Sequence, residues 1–401
     1  MIKDPDNNPN PLPDIQRDRQ RPVPGTVVTG NSCLVKRKWF PLDIPPALIQ
    51  SDLGGILFHN QFLTPILSHV IPLSVEYHST EWNNTMNLPK KVTIVDVGPR
   101  DGFQNEKQFI PTQKKIDIVN GLIKAGLKNI QVSSVVHPEA VPQLADAEEV
   151  MTKIDRRSDV SYRLLVPNLK GVQRALPLKP DQIDLMMSVS ESHNRSNANR
   201  SIDETFKEFE TLVPMILGKG IAVSGGMACG FGCPFEGKVA VAQIERVADR
   251  YVAMGIKSVG LADTVGFASP KRVYDTMTHL LDKYPDVQWL LHLHNHRDLA
   301  LANILAAMQA GITQFDAAIG GLGGCPYAPN AAGNVATEDL VNMLDEMGIE
   351  SGVNLDALLE VAEVVREAIP HPLSSALLKT GKPWVLAKAP DCQIKLGFTK
   401  N

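Results

Sequence analysis

Lys91-Val-Thr-Ile-Val-Asp-Val-Gly-Pro-Arg-Asp-Gly102 is the stretch from which the fold is read. The apolar, β-branched run Val92–Val97 reads as a buried strand, and the Gly-Pro-Arg-Asp-Gly that follows reads as a turn carrying charge straight off the strand's carboxyl end. A dinucleotide-binding sheet would place Gly-x-Gly-x-x-Gly at this point, and none is present.

Further strands are expected at Asn129–Ser133, Tyr162–Val166, Gln182–Met187, Ile221–Met227, Ser258–Leu261, Gln288–His292 and Thr313–Ala317. Helical periodicity lies between them, as in Gln113–Ala125, Ile202–Gly218, Val239–Met254, Pro270–Lys283 and Ala300–Ala310. Eight short buried strands alternating with helices predict an α/β fold, a (β/α)₈ TIM barrel. A doubly wound open sheet is the competing reading, and the missing glycine fingerprint argues against it. Two more helices, near Glu338–Leu344 and Leu355–Ala368, are expected to pack on the barrel after its last strand.

Residues 1–85 are rich in Pro and Asn, show little periodicity and read as a low-order extension, or as sequence upstream of a true start at Met86. The barrel domain is then 86–370, followed by a tail over 371–401. A net charge of −4 gives no electrostatic reason to expect nucleic acid or an anionic membrane as a partner. No apolar run approaches the roughly 18 residues of a membrane span. The five cysteines are scattered and odd in number, which fits reduced thiols in a cytoplasm better than a disulfide framework.

Catalytic groups of a TIM barrel gather at the carboxyl ends of its strands. Four polar clusters fall there. After strand one, Asp101 is a candidate carboxylate ligand and Arg100 a guanidinium for an oxyanion, against the plain reading of an Asp-Gly turn with a surface arginine. At the end of strand seven, His292 and His294 are two residues apart, so an extended strand points both imidazoles to one face, a good start for a divalent-metal site. After strand eight, Gly320-Gly-Leu-Gly-Gly-Cys-Pro-Tyr surrounds Cys325 with glycines that permit close approach or movement, and Asn334 beyond it can offer a carbonyl oxygen to a hard metal. After strand five, Cys229 and Cys233 have the wrong spacing for a zinc knuckle and read as structural.

Together with Val141-Pro-Gln, Pro167-Asn-Leu-Lys-Gly and Asp263-Thr-Val-Gly, these segments resemble the 3-hydroxy-3-methylglutaryl-CoA lyase family from about Lys91 to Leu377. The Gly-Leu-Gly-Gly-Cys-Pro-Tyr loop is the most specific element, because it separates the lyases from related synthases. The resemblance implies a metal-dependent retro-Claisen cleavage of an acyl-CoA substrate to acetyl-CoA and acetoacetate, of the kind used in leucine degradation and ketone-body metabolism. It implies Mg²⁺ or Mn²⁺ on Asp101, His292, His294 and Asn334. Arg100 would stabilise the enolate oxygen, Cys325 would act in proton transfer, and Asp263 would assist the proton relay. Gln104, Gln131, Asn168 and Lys170, with Arg100, would contact substrate. A homodimer is an assembly the resemblance allows.

The chain departs from the family in places. Gln131 stands at the end of strand two where the family has a glutamate, and an amide cannot supply a carboxylate. Asn295-His-Arg follows His294 where well-known lyases have Asp-Thr, and Ser190-Glu-Ser-His-Asn-Arg differs from the animal enzymes. Three alternatives stay open: a lyase on a different 3-hydroxyacyl-CoA, a condensing synthase, and a non-catalytic metal-binding protein, the last motivated by Gln131. Acetoacetate release from candidate thioesters would discriminate them.

Overall fold

The structure is a computed structural model that describes residues 86–324 and 333–385. The expectations for residues 1–85, for Cys325 and for the end of the tail lie outside the described residues. The barrel is closed, with eight parallel strands in sequence order and β8 paired back to β1. The strands are β1 (Thr93–Asp96), β2 (Asn129–Ser134), β3 (Ser161–Leu165), β4 (Gln182–Ser188), β5 (Ala222–Ala228), β6 (Ser258–Asp263), β7 (Gln288–Leu293) and β8 (Gln314–Ala317). Helices α1 (Thr112–Lys124), α2 (Ala147–Lys153), α3 (Leu169–Ala175), α4 (Glu191–Ala198), α5 (Ile202–Leu217), α6 (Val241–Ala253), α7 (Pro270–Lys283) and α8 (Ala300–Ala310) connect them, and α9 (Thr337–Glu346), α10 (Leu355–Ala368) and α11 (Ala376–Thr380) follow β8. Among the described residues no helix is long and apolar enough to cross a membrane.

Strands buried on both faces read as continuous apolar runs, which is why their positions stand out in the sequence. The helices pack through specific small-to-large fits. Tyr251 of α6 lies against β5 so closely that a Cβ on Gly225 would stand 2.6 Å from its ring, and its hydroxyl donates to the Gly226 carbonyl at 3.0 Å. Phe206 and Phe209 of α5 complete that cluster, with ring centroids 5.7 and 6.4 Å from Tyr251. The late helix α10 closes over α1 in the same manner, since a Cβ on Gly121 would meet Val361 at 2.7 Å. Local signals set helix ends: Ser201 and Glu204 form a reciprocal capping box on α5, and Ser269 with Pro270 starts α7.

Register places the polar side chains at the barrel mouth. His292 of β7 is the direct register partner of Asp316 on β8. In β2 the pairing with β3 slips between Gln131 and Ser133, so an extra residue is accommodated beside the site.

Candidate metal centre and its cavity

The chain leaves β1 through a π-helical turn, Gly98–Gly102, in which the amides of Arg100 and Asp101 both donate to the Val97 carbonyl, at 3.1 and 2.7 Å. That tight turn brings both side chains back over the barrel mouth, where they are buried. Asp101 meets His292 and His294 there, with one ligand atom from each of the three lying within 4.8 Å of the others. The two imidazoles present their Nε2 atoms to each other at 3.0 Å, as expected of alternate residues on one strand face. His292 Nδ1 faces Asp316 at 2.9 Å, which leaves its Nε2 for the centre.

Asn334 enters from the segment after β8. It bridges to His294 in an isolated antiparallel pair. Its Nδ2 donates to Asp101 at 2.7 Å and to the Leu322 carbonyl at 3.0 Å, while its buried Oδ1 has no partner among the described residues. A buried polar atom without a partner calls for an explanation, and an ion held by the amide oxygen provides one. The neighbouring glycine makes this approach possible: Gly323 has φ 108°, and a Cβ there would strike Asn334 Nδ2 at 2.5 Å. One carboxylate and two imidazoles converging in a buried site, with the Asn334 amide against the carboxylate, suit a divalent cation, so the residues present fit such a group.

The electrostatics favour an ionised Asp101 and a neutral His294 as donors. Burial raises the Asp101 carboxyl, but the positive charge of Arg100, then that of His292, with the Asn334 hydrogen bond, outweighs it and holds the group down at about 2. Burial and the neighbouring His292 push His294 down to about 3, so its imidazole is neutral. Burial also opposes charge on His292, yet the Asp316 hydrogen bond and the charges of Asp101 and Asp316 lift it above the ordinary value.

Arg100 donates through Nη1 to Asp101 at 2.7 Å and through Nε to Gln131. Beside this group opens a cavity of about 480 Å³, walled by Arg100, Asp101, His292 and His294 on one side and by Asn168, His193 and Arg200 on another. Gln104 lines it too and donates to Asp101 at 3.2 Å. Asn168 caps α3, its side chain accepting from the Gly171 amide. The remaining expected site residues stand elsewhere. Lys170 is exposed on α3 and outside the cavity wall. Asp263 is buried with its two oxygens taken by the amides of Phe267 and Ala268, at 2.8 and 3.0 Å, and burial pushes its carboxyl up to about 6. It braces the loop after β6 and does not line the cavity. Cys229 and Cys233 are buried, Cys233 Sγ lies 2.9 Å from Ser190 Oγ, and burial pushes the Cys229 thiol up to about 12, well away from a reactive thiolate.

Reading the sequence alone misses Asp316, Asp184, His193 and Arg200. Asp316 and Asp184 are single carboxylates inside apolar strands, an available signal, since a buried charge on a core strand calls for a partner.

The HMGL-like family model matches residues 91–365, the whole of the eight-stranded barrel and most of α10. The chain belongs to this family. It is 42% identical over 288 residues to the mitochondrial hydroxymethylglutaryl-CoA lyase of Mus musculus, covering 72% of this chain and 89% of the relative. It is 42% identical over 297 residues to hydroxymethylglutaryl-CoA lyase YngG of Bacillus subtilis, covering 74% and 99%. Among solved structures it is similar to an HMG-CoA lyase from Acinetobacter baumannii in complex with coenzyme A and 3-methylmalate, at 41% identity and a TM-score of 0.73, over 75% of this chain and 98% of that one. Residues 1–85 lie outside the family match.

Proposed function

We propose that this HMGL-like chain is a hydroxymethylglutaryl-CoA lyase, a carbon–carbon lyase cleaving (S)-3-hydroxy-3-methylglutaryl-CoA to acetyl-CoA and acetoacetate. The observation that carries the reading is the convergence of Asp101, His292 and His294 beside Arg100 on the wall of one cavity. Asn334 completes the proposed ligand set. Mg²⁺ or Mn²⁺ held by these residues would supply Lewis-acid polarisation of substrate oxygen.

The chain's own residues supply the rest. Transfer of the tertiary hydroxyl proton to the thiolate of Cys325, the proposed base, lets the C2–C3 bond break, and the electron pair moves onto the thioester as an enolate. Arg100 has five N–H donors, and its bonds to Asp101 and Gln131 leave others for that enolate oxygen. A donor placed in advance at a developing oxyanion contributes about 3–4 kcal/mol to transition-state stabilisation. Asp101 and Gln131 hold the guanidinium in place, so little reorganisation accompanies charge development. The thiol of Cys325 is the proposed partner that returns a proton to the enolate carbon. Gln104 and Asn168, on the cavity wall, are proposed substrate contacts. A cytoplasmic location is part of the proposal, supported by the free, buried thiols of Cys229 and Cys233.

The test is turnover of a panel of 3-hydroxyacyl-CoA thioesters with Mg²⁺ or Mn²⁺, following acetoacetate or free keto acid. Cleavage of (S)-3-hydroxy-3-methylglutaryl-CoA ahead of the analogues is expected. Preference for another thioester would reassign the substrate, whose fit the wall residues His193 and Arg200 help to set. No turnover of any thioester would overturn the lyase reading.

A further inference from the structure

Gln131 stands where the family has a glutamate, and its surroundings supply a carboxylate next to it. Its Oε1 accepts from Arg100 Nε. Its Nε2 donates to Asp184 Oδ2 of β4 at 2.6 Å. The other oxygen of Asp184 accepts from Gln182 Nε2 at 2.7 Å. Arg100 and Gln131 are both about 5% exposed, and together with Asp184 they line a small interior cavity below the metal centre.

The amide has only one sensible orientation here. A guanidinium offers donors only, and an ionised carboxylate offers acceptors only, so the oxygen of Gln131 must face Arg100 and its nitrogen must face Asp184. A glutamate at 131 would satisfy Arg100 but would place two carboxylates in contact, a repulsive arrangement in a poorly solvated interior. Conversely, an uncharged residue at 184 would leave Arg100 balanced by Asp101 alone within this chain of bonds. In this chain the carboxylate therefore stands one hydrogen bond away from Gln131, on β4 and not on β2.

We infer that Asp184 is a positioning residue for Arg100, acting through Gln131, and that the two form a matched replacement for a single glutamate. Asp184 fixes the amide, the amide fixes the guanidinium at Nε, and Asp101 fixes it at Nη1. On this account Gln131 does not mark a catalytically dead site. The inference rests on the lyase reading for its kinetic consequences, whereas the pairing itself does not.

A charge-swap cycle tests it: Asp184→Asn, Gln131→Glu and the double variant, each compared with the wild-type chain. Gln131→Glu and Asp184→Asn are each expected to lower kcat by about tenfold or more with KM within about threefold, because both misplace or unbalance a group used in the transition state. The double variant restores one carboxylate and one amide in exchanged positions, and its kcat is expected to return to within about threefold of wild type. Thermal unfolding of the metal-free proteins gives a second readout that needs no turnover: Gln131→Glu should melt below wild type, and adding Asp184→Asn should recover most of the loss. If Gln131→Glu does not fold while the double variant does, the pairing is supported directly. Losses that multiply in the double variant, or single variants that behave as wild type, would overturn it. If the wild-type chain cleaves no thioester, the lyase reading fails, and the unfolding cycle still decides the pairing.

Discussion

His294 is the residue on which the metal proposal turns. It sits at the end of β7, is buried, pairs across to Asn334 and is held neutral, the state a metal-binding imidazole requires. Replacing it by alanine removes a proposed ligand from the rim, while β7 keeps its pairing within the barrel. His294→Ala is expected to weaken Mn²⁺ binding by at least about a hundredfold, more than the loss of a residue that only supports a ligand, with an unchanged far-ultraviolet circular dichroism spectrum. Calorimetric titration with Mn²⁺ checks it, and undiminished affinity would place the ion elsewhere. Gly323 tests the same centre from the backbone. Its positive φ and the 2.5 Å approach to Asn334 leave no room for a side chain. Gly323→Ala is expected to displace Asn334, reduce Mn²⁺ affinity and cost about 1–3 kcal/mol in stability, read from the same titration and from chemical unfolding. The histidine pair was legible in the sequence because a strand has period two, and Asp101 because it follows a strand directly. Asp316 and Asp184 were not legible as partners. Their contacts run between strands 24 and 53 residues apart in sequence, and only the register of a closed barrel brings them to His292 and Gln131.

At the scale of elements, the strands and long helices were readable to within a residue or two, because buried parallel strands and amphipathic helices write their periods plainly. Pro270–Lys283, Ala300–Ala310 and Leu355–Ala368 have the expected limits. The shorter α2, α3 and α4, of seven or eight residues, offer about two turns of periodicity and stand out far less. The direction of Asp263 was equally hidden, since nothing in Asp-Thr-Val-Gly says that the carboxylate turns back onto its own loop. The start of α9 carries a prediction of its own. Glu338 is fully buried, accepts from the Gly320 amide at 3.1 Å, and is pushed up to about 7 by burial. An acid whose folded pKa exceeds its unfolded value favours the fold while protonated, so stability falls as pH rises from the unfolded pKa of 4.5 towards 7. Glu338→Gln removes that ionisation. The variant should gain relative to the wild-type chain by about 2–3 kcal/mol between pH 5 and pH 8. Chemical unfolding at the two pH values measures it, and a difference independent of pH would show that the carboxyl does not carry this strain.

For the whole molecule, the question is which residues the barrel needs. β1 begins at Thr93 and its other edge pairs with β8, so closure depends on the segment directly after Met86 and on residues up to Ala317. The outer ring is completed by α10, which packs its Val361 against Gly121 and ends at Ala368. The bridge from Lys91 to Glu350 and the Val92 amide bond to the Glu350 carbonyl tie the entry of β1 to the segment before α10. The family match from 91 to 365 covers the same span. Every strand and ligand described above is therefore supplied from residue 86 onwards. A chain beginning at Met86 is expected to unfold in one cooperative transition, with a Tm within about 2 °C of the full chain, a difference below about 1 kcal/mol for a domain of this size. It should also bind Mn²⁺ with the same affinity and turn over thioester at the same rate. Differential scanning calorimetry and the Mn²⁺ titration, run on both lengths, decide the matter. A lower Tm with weaker Mn²⁺ binding in the shorter chain would mean that part of residues 1–85 belongs to the folded unit. Unchanged Mn²⁺ binding with lost turnover would instead assign those residues to the substrate side of the site.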